Sequence, residues 1–207
     1  MKILIATHNQ SKLKRYQQIL KAIDFIELVS LTDLNITEKV EEDCATNAEN
    51  ALKKAHVYGK LSGLITVAAD EALMTNFLPD NEQPGVYARR FTKDKSELTD
   101  TGVIDAWKQI FQIYPQDDKQ FIWSFAIAYY NPTNDTEGVD YVNQISYVAK
   151  YFSDTIPNGY PMSSFMSPYP AGKPYSELTA DEDMAVDAKN FADFALSLNN
   201  WLHEQTK

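Results

Sequence analysis

The chain has 207 residues, 44% hydrophobic and 23% charged, and its 19 basic and 29 acidic side chains leave a net charge of −10. These values exclude a disordered or fibrous chain and bound the expectation at one domain over 1–207, with at most a smaller second lobe. The longest apolar run, residues 121–130, is half of the roughly 20 residues that a membrane span needs, and residues 3–6 are too short for a secretory core. The lone cysteine, Cys44, can form no internal disulfide. A cytoplasmic protein without a membrane partner is expected.

In chain order, Lys2–Ala6 (KILIA) is a short continuous apolar run, as in a strand buried on both faces. Leu13, Tyr16, Leu20 and Ile23 recur at helical spacing, which predicts an amphipathic helix from Ser11. Residues 25–31 (FIELVSL) read as a second strand. Thr46 and Glu49 form a capping-box pair ahead of a helix over 50–60, with Gly63 near its end. Leu64–Ala69 (LITVAA) predicts a buried strand ending at Asp70. Residues 79–95 read as a loop and 98–114 as a helix. Residues 120–130 and 140–152 are β-rich and flank a wide loop around Asn131–Asn134. Residues 153–175 are dense in proline and show little periodicity. Thr179 and Glu182 form another capping box, and the helix after it puts Met184, Ala188, Phe191, Ala195, Leu198 and Leu202 on one stripe. Alternating strands and helices predict an α/β fold, a two-lobed mixed sheet flanked by helices, with a central lobe at roughly 98–152.

Residues 1–60 hold nine Lys/Arg and eight Asp/Glu, whereas 61–207 hold ten and 21. No broad basic face can form, so a nucleic acid polymer is not an expected partner. A small anion remains possible, and the first 60 residues are where local positive charge could gather. Neither G-x-G-x-x-G nor G-x-x-x-x-G-K-[ST] occurs, nor a G-x-S-x-G elbow, and His8, His56 and His203 lack zinc-ligand spacing.

What remains is the first strand–turn–helix junction, Ala6-Thr7-His8-Asn9-Gln10-Ser11-Lys12. Helix N-terminal N–H groups carry partial positive charge; Thr7, Asn9 and Ser11 add donors and Lys12 a full charge, which makes a phosphate cradle without glycines. An ordinary cap by Asn9 beside a surface lysine is the other reading. Glu41-Glu42-Asp43, and Asp70 followed by Glu71 at a strand end, supply carboxylates. Converging, they would suit Mg²⁺, which takes few protein oxygens and shares the rest with phosphate and water. Apart, they read as a solvated acidic turn and a cap.

Taken together, these segments resemble the inosine/xanthosine triphosphate pyrophosphatases, which cleave non-standard purine nucleoside triphosphates to monophosphate and pyrophosphate. Thr7-His8-Asn9-Gln10-Ser11-Lys12 is similar to that family's T-G-N-x-x-K turn. The stretch from Glu42 to Ala55 (EDCATNAENALKKA) resembles E-[ET]-G-x-T-F-x-E-N-A-x-x-K-A, and Ala68-Ala69-Asp70-Glu71-Ala72-Leu73 resembles A-D-D-S-G-L. Pro84 to Phe91 looks like P-G-x-Y-S-A-R-Y, and Gly172 to Thr179 echoes G-K-x-x-A-E-L-T. The resemblance implies that Thr7, Asn9, Ser11 and Lys12 contact phosphates, and that Glu42 and Asp70 hold Mg²⁺ with Asp70 as the base for water. It further implies that Lys54, Glu71, Arg90 and Lys189 face the substrate and that the chain forms a homodimer.

Departures accompany it. Ala69 stands for the first aspartate of A-D-D, and Glu71 and Ala72 for its serine and glycine. The F-G-[YW]-D-P loop is absent at Asn158–Phe165. The late K-x-x-x-S-H-R motif reads Asp183-Met184-Ala185-Val186-Asp187-Ala188-Lys189, with Ala188 expected to pack in the core. The expected function is Mg²⁺-dependent hydrolysis of a nucleoside triphosphate to monophosphate and pyrophosphate with altered base specificity. The alternative is a catalytically degenerate relative acting as a non-catalytic nucleotide-binding or scaffolding dimer.

Overall fold

Continuous apolar runs become interior strands, and capped amphipathic stretches cover them. The computed structural model describes residues 1–88, 91 and 96–206. In chain order the elements are β1 (Lys2–Ile5), α1 (Gln10–Ile19), β2 (Glu27–Ser30), α2 (Asn47–Ser62), β3 (Ile65–Thr75), α3 (Asp100–Ile113), β4 (Gln120–Asn131), β5 (Thr136–Val148), β6 (Met166–Ser167) and α4 (Ala180–Glu204). The six strands form one sheet in the order β2-β1-β3-β4-β5-β6. β1 runs parallel to β2 and β3, and β5 antiparallel to β6. The expected mixed α/β sheet with flanking helices is the observed fold. Among the described residues no helix is long and apolar enough to cross a membrane.

The chain divides into two compact units, Met1–Glu71 with Phe125–Val142 and Asp187–Lys207, and Ala72–Ser124 with Asn143–Val186. In the first, the period-two alternation of strands sorts side chains onto two faces. Leu4, Ala68, Ala126, Ala128 and Tyr130 join Ala51, Ala55 and Tyr58 of α2 in one cluster. The opposite parity points the other way. Phe125 meets Phe191 of α4 edge-on at 5.2 Å, and Tyr16 of α1 meets Phe191 and Phe194 at 6.2 and 6.3 Å. Helix α2 therefore covers one face, and α1 and α4 the other. The second unit has its own core around the fully buried Trp107, Phe121 and Phe165.

Both capping boxes form. Thr46 accepts from the Glu49 N–H while Glu49 accepts from Thr46, and Thr179 and Glu182 exchange bonds in the same way. Gly63 ends α2 in the left-handed region at φ 69°, where glycine carries no Cβ penalty. Gly59 has a different duty: a Cβ there would meet the Tyr130 ring at 2.7 Å. Gly59→Ala would gain up to ~1 kcal/mol of helix propensity but overpack a filled core at a cost of about 1–3 kcal/mol. Net destabilisation of about 1 kcal/mol is expected in urea unfolding of the variant.

Several expectations need correction. β3 does not end at Asp70 but runs on to Thr75, because Leu73 and Gly85 form an antiparallel bridge that keeps the segment extended. The hairpin loop between β4 and β5 is short, residues 132–135, since β5 starts at Thr136. Residues 153–175 hold a two-residue strand, β6, and a 3-10 turn at Pro161–Ser164, and a second 3-10 turn, Tyr175–Glu177, starts at their end. The buried stripe of α4 is Val186, Phe191, Phe194, Leu198 and Leu202. Met184 and Ala188 are exposed and Ala195 is half-buried, so Ala188 is not committed to packing; the first turns of α4 bury Val186 and Asp187 instead.

Candidate active site

The first turn is built by its own side chains. Thr7 Oγ1 accepts from the Asn9 N–H at 3.1 Å, and Asn9 Oδ1 accepts from the N–H groups of Ser11 at 2.9 Å and Lys12 at 3.2 Å. Asn9 is thus the N-cap of α1, and the two N–H groups read as open phosphate donors are already held by it. The capping reading describes the backbone here, and what the turn offers an anion is the Lys12 ammonium.

Parity along β3 decides what happens next. Asp70 shares its face with Ala68 and looks toward α2, while Ala69 and Glu71 look toward α1. Asp70 is buried, and its Oδ2 accepts from Asn50 Nδ2 of α2 at 3.0 Å. Lys54, one turn further along α2, sends Nζ to the Ala69 carbonyl at 2.8 Å, to a Glu42 carboxylate oxygen, and to within 3.9 Å of Asp70 Oδ1. Asn50 also fixes the approach to α2, since its Oδ1 accepts from the Cys44 N–H at 3.0 Å. Glu42 is therefore engaged by Lys54, and its neighbour Asp43 by Lys53. The acidic turn is not merely solvated.

On the α1 side, Lys12 Nζ lies 3.2 Å from Glu71 Oε1, the two side chains only 20% and 13% exposed. One turn on, Arg15 Nε lies 3.3 Å from Asp187 Oδ2 and its guanidinium sits 5.7 Å from the Phe125 ring centre. Burial raises the Asp70 pKa above the ordinary carboxylate value; the Glu42 charge adds to the rise, and Lys54, Asn50 and Lys12 oppose it. A desolvated carboxylate held above its usual range is a common mark of a working acid or base.

Of the residues singled out in the sequence, Thr7, Asn9, Ser11 and Lys12 thus share the first turn, and Glu42, Lys54 and Asp70 meet around one ammonium. Glu71 joins Lys12 on the other face of β3. Lys189 is exposed on α4, Ala188 beside it carries no polar group, and Arg90 lies outside the described residues. Asn50 carried no assigned role in the sequence reading. Its signal was there: it stands four residues before Lys54 on one helix, so both reach the same strand.

Among the described residues no group of three or more His, Cys, Asp or Glu side chains could by itself cage a metal. Mg²⁺ does not require a cage, because it is ordinarily held by one or two carboxylates with water and substrate phosphate. Glu42 and Asp70, all-oxygen donors reaching one cation, fit that pattern.

The chain belongs to the Ham1 family, whose model matches residues 3–147. It is 39% identical over 100 residues to a dITP/XTP pyrophosphatase of Thermoanaerobacter sp. (strain X514), covering 48% of this chain and 49% of that one. It is 31% identical over 137 residues to a dITP/XTP pyrophosphatase of Bacillus cereus, covering 66% and 64%. The match thus spans about half the length of the first of these relatives. Among solved structures, a HAM1 protein from Coxiella burnetii superimposes with a TM-score of 0.74 at 23% identity over 99% of both chains. A nucleoside-triphosphatase / dITP/XTP pyrophosphatase from Mycobacterium abscessus gives 0.68 at 29% identity, over 95% of this chain and 97% of that one.

Proposed function

We propose that the chain is a Mg²⁺-dependent nucleoside triphosphate pyrophosphatase acting in the cytoplasm as a homodimer. Its substrates would be non-standard purine nucleotides of the dITP/XTP kind, with a base preference that departs from its relatives. The observation that carries this reading is the buried Asp70, held by Asn50 on one oxygen and facing Lys54 with the other. A carboxylate fixed by one oxygen, with its pKa raised by burial, can accept a proton from water at the other. In the proposed step, water oxygen bonds to the α-phosphorus, the bond from that phosphorus to the α–β bridging oxygen breaks, pyrophosphate leaves, and Asp70 takes the proton. Lys12 holds phosphate charge and Lys54 keeps Glu42 and Asp70 together. The chemistry that a Mg²⁺ on Glu42 and Asp70 supplies when bound is neutralisation of phosphate charge and polarisation of phosphorus.

Base preference is assigned as altered because the residues at 183, 187 and 188 are acidic, acidic and apolar, and the turn at Pro161–Ser164 lacks an aspartate. Ala69 favours a second reading, a nucleotide-binding protein without turnover, since a carboxylate is missing from the strand beside Asp70. Turnover separates the two. For the shared phosphate assignment, Lys12→Ala should weaken Mg²⁺-dITP binding by about 1.5–3 kcal/mol, the range for a charge-assisted contact. Isothermal calorimetry measures it, and unchanged affinity would remove Lys12 from the site.

A further inference from the structure

Glu71 is the carboxylate that the proposed step does not use. Its side chain is 13% exposed, and it lies 3.2 Å from the one ammonium that the first turn presents. Parity along β3 aims it at α1, away from Asp70 and α2. One turn further along α1, Arg15 is likewise matched by a buried acid, Asp187. The start of α1 is therefore compensated from within the chain by the Asn9 cap and the Glu71 carboxylate, and its middle by Asp187. A phosphate arriving at Lys12 meets a position that already holds an anion.

We infer that Glu71 is an intramolecular competitor for the phosphate position on Lys12, and so sets how tightly the site holds a polyphosphate. This rests on the phosphate-binding reading of the site and adds a determinant of affinity to it. Binding requires the Glu71 carboxylate to leave Lys12, and its return favours release of the pyrophosphate product. The cost is paid at every encounter, because the pair is largely desolvated and binding must break an ion pair at 3.2 Å.

The test is calorimetric binding of inorganic tripolyphosphate in excess Mg²⁺ to wild type, Glu71→Gln, Lys12→Ala and the double variant, with melting curves for each. Glu71→Gln should tighten binding about tenfold, the factor that 1.4 kcal/mol makes. In the Lys12→Ala background the same change should have little effect, as coupling through one pair demands. Glu71→Ser should repeat the gain with a different side chain. Equal or weaker binding by Glu71→Gln, with wild type binding normally, would overturn the inference while leaving the site's function standing. Absence of tripolyphosphate binding in every folded variant would overturn the phosphate reading itself, and this inference with it.

Discussion

Asp70→Asn is expected to abolish pyrophosphate release while raising the melting temperature of the ligand-free protein. Loss of one member of a catalytic unit costs on the order of 10³-fold or more in turnover. The stability gain follows from burial. Asp70 binds its proton more tightly folded than unfolded, so its share of stability is fully present below the unfolded carboxyl pKa of about 3.9. That share is lost as pH rises through the higher folded value. Asparagine mimics the protonated form and keeps the Asn50 contact, so it avoids the loss. The Tm difference between variant and wild type should be small in acid and should widen toward neutral pH. Parallel melting curves read it, and a variant less stable than wild type at pH 7 would contradict the electrostatic account.

Lys54→Met should have the largest effect on folding. The side chain is 10% exposed and bridges Glu42, the Ala69 carbonyl and Asp70. Methionine keeps much of the packing but strands the buried Asp70 charge, and breaking a buried pair in this way costs about 3–5 kcal/mol. At about 2–4 °C per kcal/mol for a chain of this size, a fall in Tm on the order of 10 °C follows. The Lys54→Met/Asp70→Asn double variant should recover most of it, because Glu42 is half exposed and returns to water. A double variant as unstable as Lys54→Met alone would show that Lys54 acts through packing.

The outline of the fold was legible because its signals are local. KILIA and LITVAA are too apolar to lie at a surface, and Thr46–Glu49 and Thr179–Glu182 announce helix starts within four residues. The far end of β3 was not legible. Glu71 to Thr75 (EALMT) is extended by a bridge to Gly85, and such non-local pairing leaves no mark in the segment itself. The stripe of α4 was misjudged at its start because Asp187 is buried against Arg15, a partner 172 positions away in the chain. At the site, residue types alone pointed to Thr7, Asn9, Lys12, Glu42 and Asp70 as suited to phosphate and metal, and the family resemblance added Lys54. The sequence offered both an anion cradle and an ordinary cap at the first turn, and did not reveal which of the two the Asn9 oxygen serves. Nor did it reveal that Asp70 and Glu71 serve opposite faces, which only the strand's continuation through both makes plain.

The central claim is that this site cleaves a nucleoside triphosphate between its α- and β-phosphates. It is tested most directly by incubating the protein with Mg²⁺ and a panel that includes dITP, XTP and the four standard triphosphates, with products separated by anion-exchange chromatography. Equimolar monophosphate and pyrophosphate are expected from at least one non-standard purine, and none from the Asp70→Asn variant. Diphosphate with orthophosphate, or no product from any nucleotide, would contradict it.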